Sequence, residues 1–197
     1  MERDGLDILR EKERGEEAQY FRRKDQELLQ KLREKAQLDE LANMLGQKLQ
    51  VDDPVLLKRI VADGVTLETG AAFLLAPLVQ IAWAEGKVSP EERAMILKIA
   101  KERGIEDGTP AHAKLLEWLA HRPTDALFEA SQSAIKLGIS VLPEPERAER
   151  IESIVSACRR VAAVSGGGKL ARLFGLATGV THEEEIVLAA ITAKLTL

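Results

Sequence analysis

The chain has 197 residues, of which 45% are hydrophobic, so it is long enough to bury one core and to carry an additional segment. Its formal net charge of -4 argues against a general nucleic-acid-binding protein, which usually presents a basic surface. The single cysteine, Cys158, excludes an internal disulfide framework and favours a reducing compartment.

The amino terminus is charged rather than apolar, so no secretory signal is expected. The longest uncharged stretch, residues 69–84, is too short to cross a bilayer and contains Pro77. We interpret this stretch as a buried core helix and expect a cytoplasmic protein without a transmembrane segment.

The first predicted element is a long charged helix within residues 1–52. Between residues 10 and 40 there are 18 charged side chains, nine of each sign, and no proline. Strong helix formers dominate this segment, but an apolar seam with three- and four-residue spacing appears only between Leu38 and Leu49. The first half therefore has almost no face to bury. We expect it to lie free in solution, to fray, to dock on a protein partner, or to pair in a homodimer.

Beyond Pro54 the sequence predicts a second domain, residues 53–197, in which apolar helices are separated by turns rich in glycine and proline. Seven helices are expected, over roughly residues 54–62, 68–84, 90–103, 110–121, 124–140, 144–164 and 182–195. No segment combines period-two alternation with β-branched residues, so strands are not expected. The predicted fold class is an all-α helical bundle.

Two helix starts share a local pattern, and we call them the first corner (residues 86–92) and the second corner (residues 179–184). In the first corner, Ser89 and Glu92 have the spacing of a capping box, and Pro90 takes the first helical position. In the second corner, Thr181 and Glu184 repeat the box. The apolar positions of the following helices also correspond, which indicates an internal duplication of a helix–turn–helix unit.

The segment that contains the first corner resembles the signature of the TerB-like domains, a helical family associated with tellurite resistance and stress. Its sequence is Ile81-Ala-Trp-Ala-Glu-Gly-Lys-Val-Ser-Pro-Glu-Glu-Arg93. Residues 161–168 and the second corner resemble the second repeat of the family, so the resemblance covers about residues 55–197. It implies an all-helical interaction or scaffold module without established enzyme activity. In some members acidic residues bind a divalent cation such as calcium or zinc. By position, the ligands here would be Glu85, Glu91, Glu92, Glu183 and Glu184.

Helix capping offers a second interpretation of the acidic residues at the first corner, because carboxylates are favourable in the first turn of a helix without any metal. A calcium loop needs six or more oxygen ligands, and the positions two and four residues before Glu85 are Trp83 and Ile81. Glu85 also stands where the family usually has aspartate, and Ser165 takes the corresponding place in the second repeat. The sequence leaves the helix cap and the cation site open as alternatives.

The N-terminal helix has a resemblance of its own. Residues 16–32, with a glutamate-rich start followed by Tyr-Phe-Arg and leucine-rich turns, are similar to the core of the mitochondrial ATP-synthase inhibitor protein. This resemblance implies insertion into the rotary catalytic head and inhibition of ATP hydrolysis, with Tyr20, Phe21 and Arg22 as contact residues. A simpler interpretation is that the aromatic pair contacts the bundle or a second copy of the chain. Docking to another protein partner is a further alternative.

The remaining motifs predict no catalytic site. Residues 165–169 lack the spacing and the final Ser or Thr of a phosphate-binding loop, and His112, His121 and His182 are dispersed along the chain. Cys158 lies among apolar neighbours in a predicted helix, so we expect it to be buried. Since no serine or cysteine has a recognisable base beside it, we expect a protein that is not an enzyme.

Overall fold

A computed structural model describes the backbone of residues 2–165 and 180–196, and these residues form helices and turns without a strand. The all-α fold class is thereby confirmed. The helices are α1 (Glu2–Leu49), α2 (Pro54–Ala62), α3 (Gly70–Phe73), α4 (Ala76–Ala82), α5 (Pro90–Glu102), α6 (Pro110–Ala120), α7 (Asp125–Ser140), α8 (Glu144–Ser165) and α9 (His182–Thr196). Among the described residues, no helix is long and apolar enough to span a membrane.

The chain divides into two compact units, residues 1–40 and residues 41–197. In the first unit, the side chains from residue 19 to residue 38 are exposed. The last turns of α1 belong to the second unit, where Ala42, Leu45 and Leu49 are part of the hydrophobic core. The second unit therefore starts earlier than the predicted boundary at residue 53, because the leucine seam of α1 packs into the bundle from Leu41 onward.

Most helix starts in the second unit are set by local capping. Helices α2, α5, α6 and α7 each follow an N-cap residue whose side chain accepts a hydrogen bond from a backbone N–H of the first turn; the caps are Asp53, Ser89, Thr109 and Thr124. A proline occupies the first helical position of α2, α5 and α6. Because these interactions span only a few residues, the predicted bounds of these helices are confirmed to within one residue.

The single helix predicted over residues 68–84 is wrong, because the structure contains two helices there, α3 and α4. Pro77 has no N–H and cannot donate to the carbonyl of Phe73, one helical turn earlier. That carbonyl instead accepts a hydrogen bond of 2.7 Å from the buried hydroxyl of Ser131 on α7. The described part of the chain therefore has eight helices after α1, in place of the seven predicted.

Helix α4 occupies the centre of the second unit, where it contacts α5, α7, α8 and α9. Its aliphatic side chains other than Pro77 are at most 1% exposed, and Pro77 is buried as well. Two side-chain hydrogen bonds link this region to neighbouring helices. The indole N–H of Trp83 donates to the carbonyl of Trp118 at 2.8 Å, and the amide of Gln132 donates to that of Gln80 at 2.6 Å. The apolar interior and these bonds fix α4 relative to α6 and α7.

The end of α1 packs closely on α7. Gln50 follows the helix with φ of 56°, and the N–H of Val51 donates to the carbonyl of Gly46 at 3.0 Å, which closes the helix as in a Schellman motif. The carbonyl of Leu49 lies against Gly138 of α7, where an added Cβ would stand only 3.0 Å from the oxygen. A glycine at position 138 is therefore what allows this approach.

Candidate functional site

The first corner is a complete capping box. Gly86 ends the preceding turn with φ of 78°, in the left-handed region. The hydroxyl of Ser89 accepts the N–H of Glu92 at 3.2 Å, and the Glu92 carboxylate accepts the N–H of Ser89 at 2.7 Å. Glu92 is buried, with only 4% of its surface exposed. The capping-box prediction for this corner is confirmed.

The second corner repeats this geometry. The Glu184 carboxylate accepts the N–H of Thr181 at 2.8 Å and its hydroxyl at 3.1 Å, and the Thr181 oxygen accepts the N–H of Glu184 at 3.4 Å. Glu184 is fully buried at 0% exposure. The capping-box prediction is confirmed here as well. Gly179, like most of the glycine-rich segment 165–169, lies outside the residues that the structure describes.

The glutamates of the two corners influence each other electrostatically. Burial is the main cause that raises the pKa of Glu92, against the lowering effect of its hydrogen bonds to Ser89. The negative charges of Glu184 and Glu85 raise this pKa further. The charges of Glu184, in the other buried cap, and of the exposed Glu85 therefore both act on Glu92.

Of the five glutamates predicted to bind a cation, Glu92 and Glu184 serve helix caps. Glu91 and Glu183 are exposed in the first turns of α5 and α9. Among the residues with described positions, no three His, Cys, Asp or Glu side chains are arranged to hold a metal ion. A hard cation needs about six oxygen ligands, whereas oxygens of Glu92 and Glu184 already accept hydrogen bonds within the caps. Cation binding through the five predicted glutamates remains a prediction from the family resemblance.

The predicted contact residues of α1 lie on its surface. Tyr20 and Phe21 are 57% and 61% exposed, and their rings form an edge-to-face pair with centroids 5.9 Å apart. The ammonium group of Lys24 lies 5.8 Å from the Tyr20 ring centre, within the range of a cation–π interaction. Arg22, between the aromatic pair and Lys24, is also exposed.

The leucines that follow this aromatic pair were not among the predicted contact residues. Leu28, Leu29 and Leu32 are exposed by more than half. Phe21, Leu28 and Leu32 follow one another at intervals of seven and four residues, so they lie on one face of the helix. The spacing of these residues in the sequence is what indicates an apolar face. The composition of the segment does not indicate it, because most of the surrounding residues are charged.

The thiol of Cys158 is not accessible to solvent, so it cannot act as a nucleophile in the folded protein. It is 0% exposed in α8, and burial raises the pKa of its thiol to about 12. The prediction of a buried cysteine is confirmed, and the thiol belongs to the core.

Comparison of the chain with protein-family models, with curated proteins and with solved structures gives no match. The TerB-like and inhibitor-like resemblances therefore remain expectations that rest on the motifs of this sequence.

Proposed function

We propose that this protein is a non-enzymatic helical interaction module, which binds a protein partner through residues 20–32 of α1. One observation carries the proposal. Large apolar side chains are more than half exposed on an otherwise charged helix: Tyr20, Phe21, Leu28, Leu29 and Leu32. Exposed apolar side chains grouped in this way are typical of a binding surface.

The spacing and charge of this surface indicate the kind of partner. Phe21, Leu28 and Leu32 have the spacing with which an amphipathic helix docks into an apolar groove. Residues 20–33 contain five basic and two acidic side chains, although the whole chain has a net charge of -4. A groove bordered by carboxylates would complement this segment. We therefore propose a protein partner with an apolar, acid-rimmed groove.

Photo-crosslinking of the full chain tests this proposal. With a photoreactive amino acid in place of Leu29, we expect one discrete crosslinked product in cells. The double variant Phe21→Ala/Leu28→Ala should reduce its yield several-fold, because these side chains supply the apolar contact. Gln26→Ala, which alters the opposite face of the helix, is the matched control. Equal yields in the parent and the double variant would contradict the proposal, and a product of twice the chain's mass would identify a second copy as the partner.

A narrower form of the proposal names the catalytic head of a rotary ATPase as the partner. It is supported by the exposed Tyr-Phe-Arg sequence at residues 20–22, which corresponds to the inhibitor-like motif. We expect the full chain to inhibit ATP hydrolysis by the isolated head, and Tyr20→Ala/Phe21→Ala to abolish the inhibition. An inert full chain would exclude this partner without excluding others.

For the second unit we propose a TerB-like scaffold with a stress or tellurite-resistance role, as the sequence motifs imply. What supports this hypothesis is the repeated capping box at the starts of α5 and α9. Growth in tellurite, compared between cells with and without the gene, tests this role independently of partner binding by α1.

A further inference from the structure

A pocket of about 240 Å³ opens in the second unit beside the end of α1, α7 and α8. Most of its lining is apolar, including Leu49, Leu74, Ile135, Ile139, Leu142 and Ile154. An apolar cavity of roughly 150 Å³ is large enough for benzene. This pocket therefore has room for a short hydrocarbon tail.

Cationic side chains border this apolar space. Lys48, Arg103 and Arg150 all line the pocket, and the ammonium group of Lys48 already donates to the carbonyl of Leu67 at 2.5 Å. Neither arginine forms an ion pair with a carboxylate within the described part of the chain. The two guanidinium groups are therefore the available anion-binding groups of the pocket.

Carboxylates lie near both arginines without forming an ion pair with either one among the described residues. Glu102, which is next to Arg103 in sequence, binds Arg160 instead, with two hydrogen bonds of 3.0 and 3.1 Å. Burial of part of the Arg103 side chain is the main cause that lowers its pKa, and the positive charges of Arg150 and Arg160 lower it further, against the raising effects of Cys158 and Glu102. The acidic residues Glu146 and Glu149 line a neighbouring cleft together with Arg150. Within the described part of the chain, neither Glu146 nor Glu149 lies within ion-pair distance of Arg150.

We propose that this pocket binds a small amphipathic carboxylate, whose aliphatic tail occupies the apolar space and whose carboxylate binds Arg103 and Arg150. A guanidinium group recognises a carboxylate through paired hydrogen bonds. The anion would also relieve the repulsion between the two arginines. This ligand site is separate from the partner surface on α1, so each proposal stands or fails independently.

Isothermal titration calorimetry of the full chain with octanoate tests the site. Octanol, which has the aliphatic tail but no charge, and acetate, which has the charge but no aliphatic tail, are the control compounds. We expect saturable one-to-one binding of octanoate, and binding of octanol and of acetate that is weaker by at least roughly tenfold. In a series from butyrate to octanoate, the affinity should increase by up to roughly fourfold per methylene. No saturable octanoate binding, or equal affinity for octanol, would overturn the proposal.

Arginine variants locate the site. Arg103→Gln and Arg150→Gln should each weaken octanoate binding roughly tenfold and leave octanol binding unchanged. Arg23→Gln, an exposed change in the first unit, is the control and should have no effect. If either variant does not fold, the parent's octanoate affinity must fall with added salt. Unchanged octanoate affinity in both folded variants, or an affinity independent of salt, would contradict the assigned contacts.

Discussion

The two parts of α1 have similar helix-forming residues and opposite environments. Leu28 and Leu32, in the first unit, are 57% and 54% exposed, whereas Leu45 and Leu49, in the second unit, are 0% and 7% exposed. Helix propensity is shared by both parts. The buried part differs in having leucines at every fourth position and close neighbours such as Gly70, where an added Cβ would lie 3.3 Å from Leu45. Burial therefore depends on a complementary surface, which propensity does not provide.

The largest expected effect comes from making the same substitution, leucine to alanine, in each part of α1. We expect Leu45→Ala to lower the free energy of unfolding by about 2–5 kcal/mol, because it leaves a cavity in a packed core. Leu28→Ala should change it by less than about 0.5 kcal/mol, because the side chain is exposed. Urea unfolding followed by tryptophan fluorescence measures both. A similar loss in the two variants would show that Leu28 is buried in solution.

A single buried hydrogen bond provides the next test. In Ser131→Ala, the carbonyl of Phe73 loses its hydrogen-bond donor while remaining in the core. We expect the free energy of unfolding to fall by about 1–3 kcal/mol. Ser133→Ala is the matched control, because the Ser133 hydroxyl donates to the Glu129 carbonyl on the exposed side of the same helix. Thermal unfolding should show little change for the control, and equal losses would contradict the role assigned to burial.

The third prediction concerns how the contribution of the buried Glu92, in the cap of α5, to the free energy of unfolding depends on pH. The folded-state pKa of Glu92 is raised, so the folded protein retains this proton at pH values where the unfolded chain has lost it. The Glu92 contribution therefore lowers the free energy of unfolding as pH rises from the ordinary glutamate pKa through the raised value. Glu92→Gln removes this dependence and keeps an oxygen that accepts the N–H of Ser89.

Denaturant unfolding across this pH range separates the charge of Glu92 from its hydrogen bond. At neutral pH we expect Glu92→Gln to be at least as stable as the parent, and Glu92→Ala to lose about 1 kcal/mol with the cap. Glu91→Gln, at the exposed neighbouring position, is the control and should retain the parent's pH profile. An unchanged profile in Glu92→Gln would show that the burial and charges around Glu92 do not govern its titration.

The smallest expected effect concerns the end of α1. Gln50 has φ of 56°, a conformation that costs a residue with a Cβ about 1 kcal/mol and glycine much less. Gln50→Gly should therefore stabilise the protein by up to about 1 kcal/mol. Gln47→Gly, inside the helix, should destabilise it by about the same amount. The difference in melting temperature between these variants measures the contrast, and the same sign for both would contradict it.

Much of the helical framework could be predicted because its signals are local. The caps at Ser89 and Thr109, each followed by a proline, place the starts of α5 and α6 within a few residues of chain. The break between α3 and α4 was not predicted, although Pro77 was visible. A proline is compatible with both a kinked helix and a broken one, and the hydroxyl that satisfies the freed carbonyl comes from Ser131, far away in the sequence.

The candidate sites were predictable only in part. The capping boxes and the exposed aromatic pair follow from short motifs. That the glutamates of the two boxes influence each other depends on how α5 and α9 pack in the bundle. The pairing of Arg103 with Arg150 at one pocket depends on packing too, and no local pattern around either arginine indicates it.

The sequence by itself determined that this protein is all-α, where most of its helices begin, and that a charged helix precedes an apolar bundle. These properties come from propensity, capping and periodicity, which act over a few residues. Only the tertiary structure decided which leucines of α1 are buried, where the helix over residues 68–84 divides, and which charged groups influence one another. Those outcomes depend on the surface supplied by distant segments, because packing and desolvation act between residues that are close only after folding.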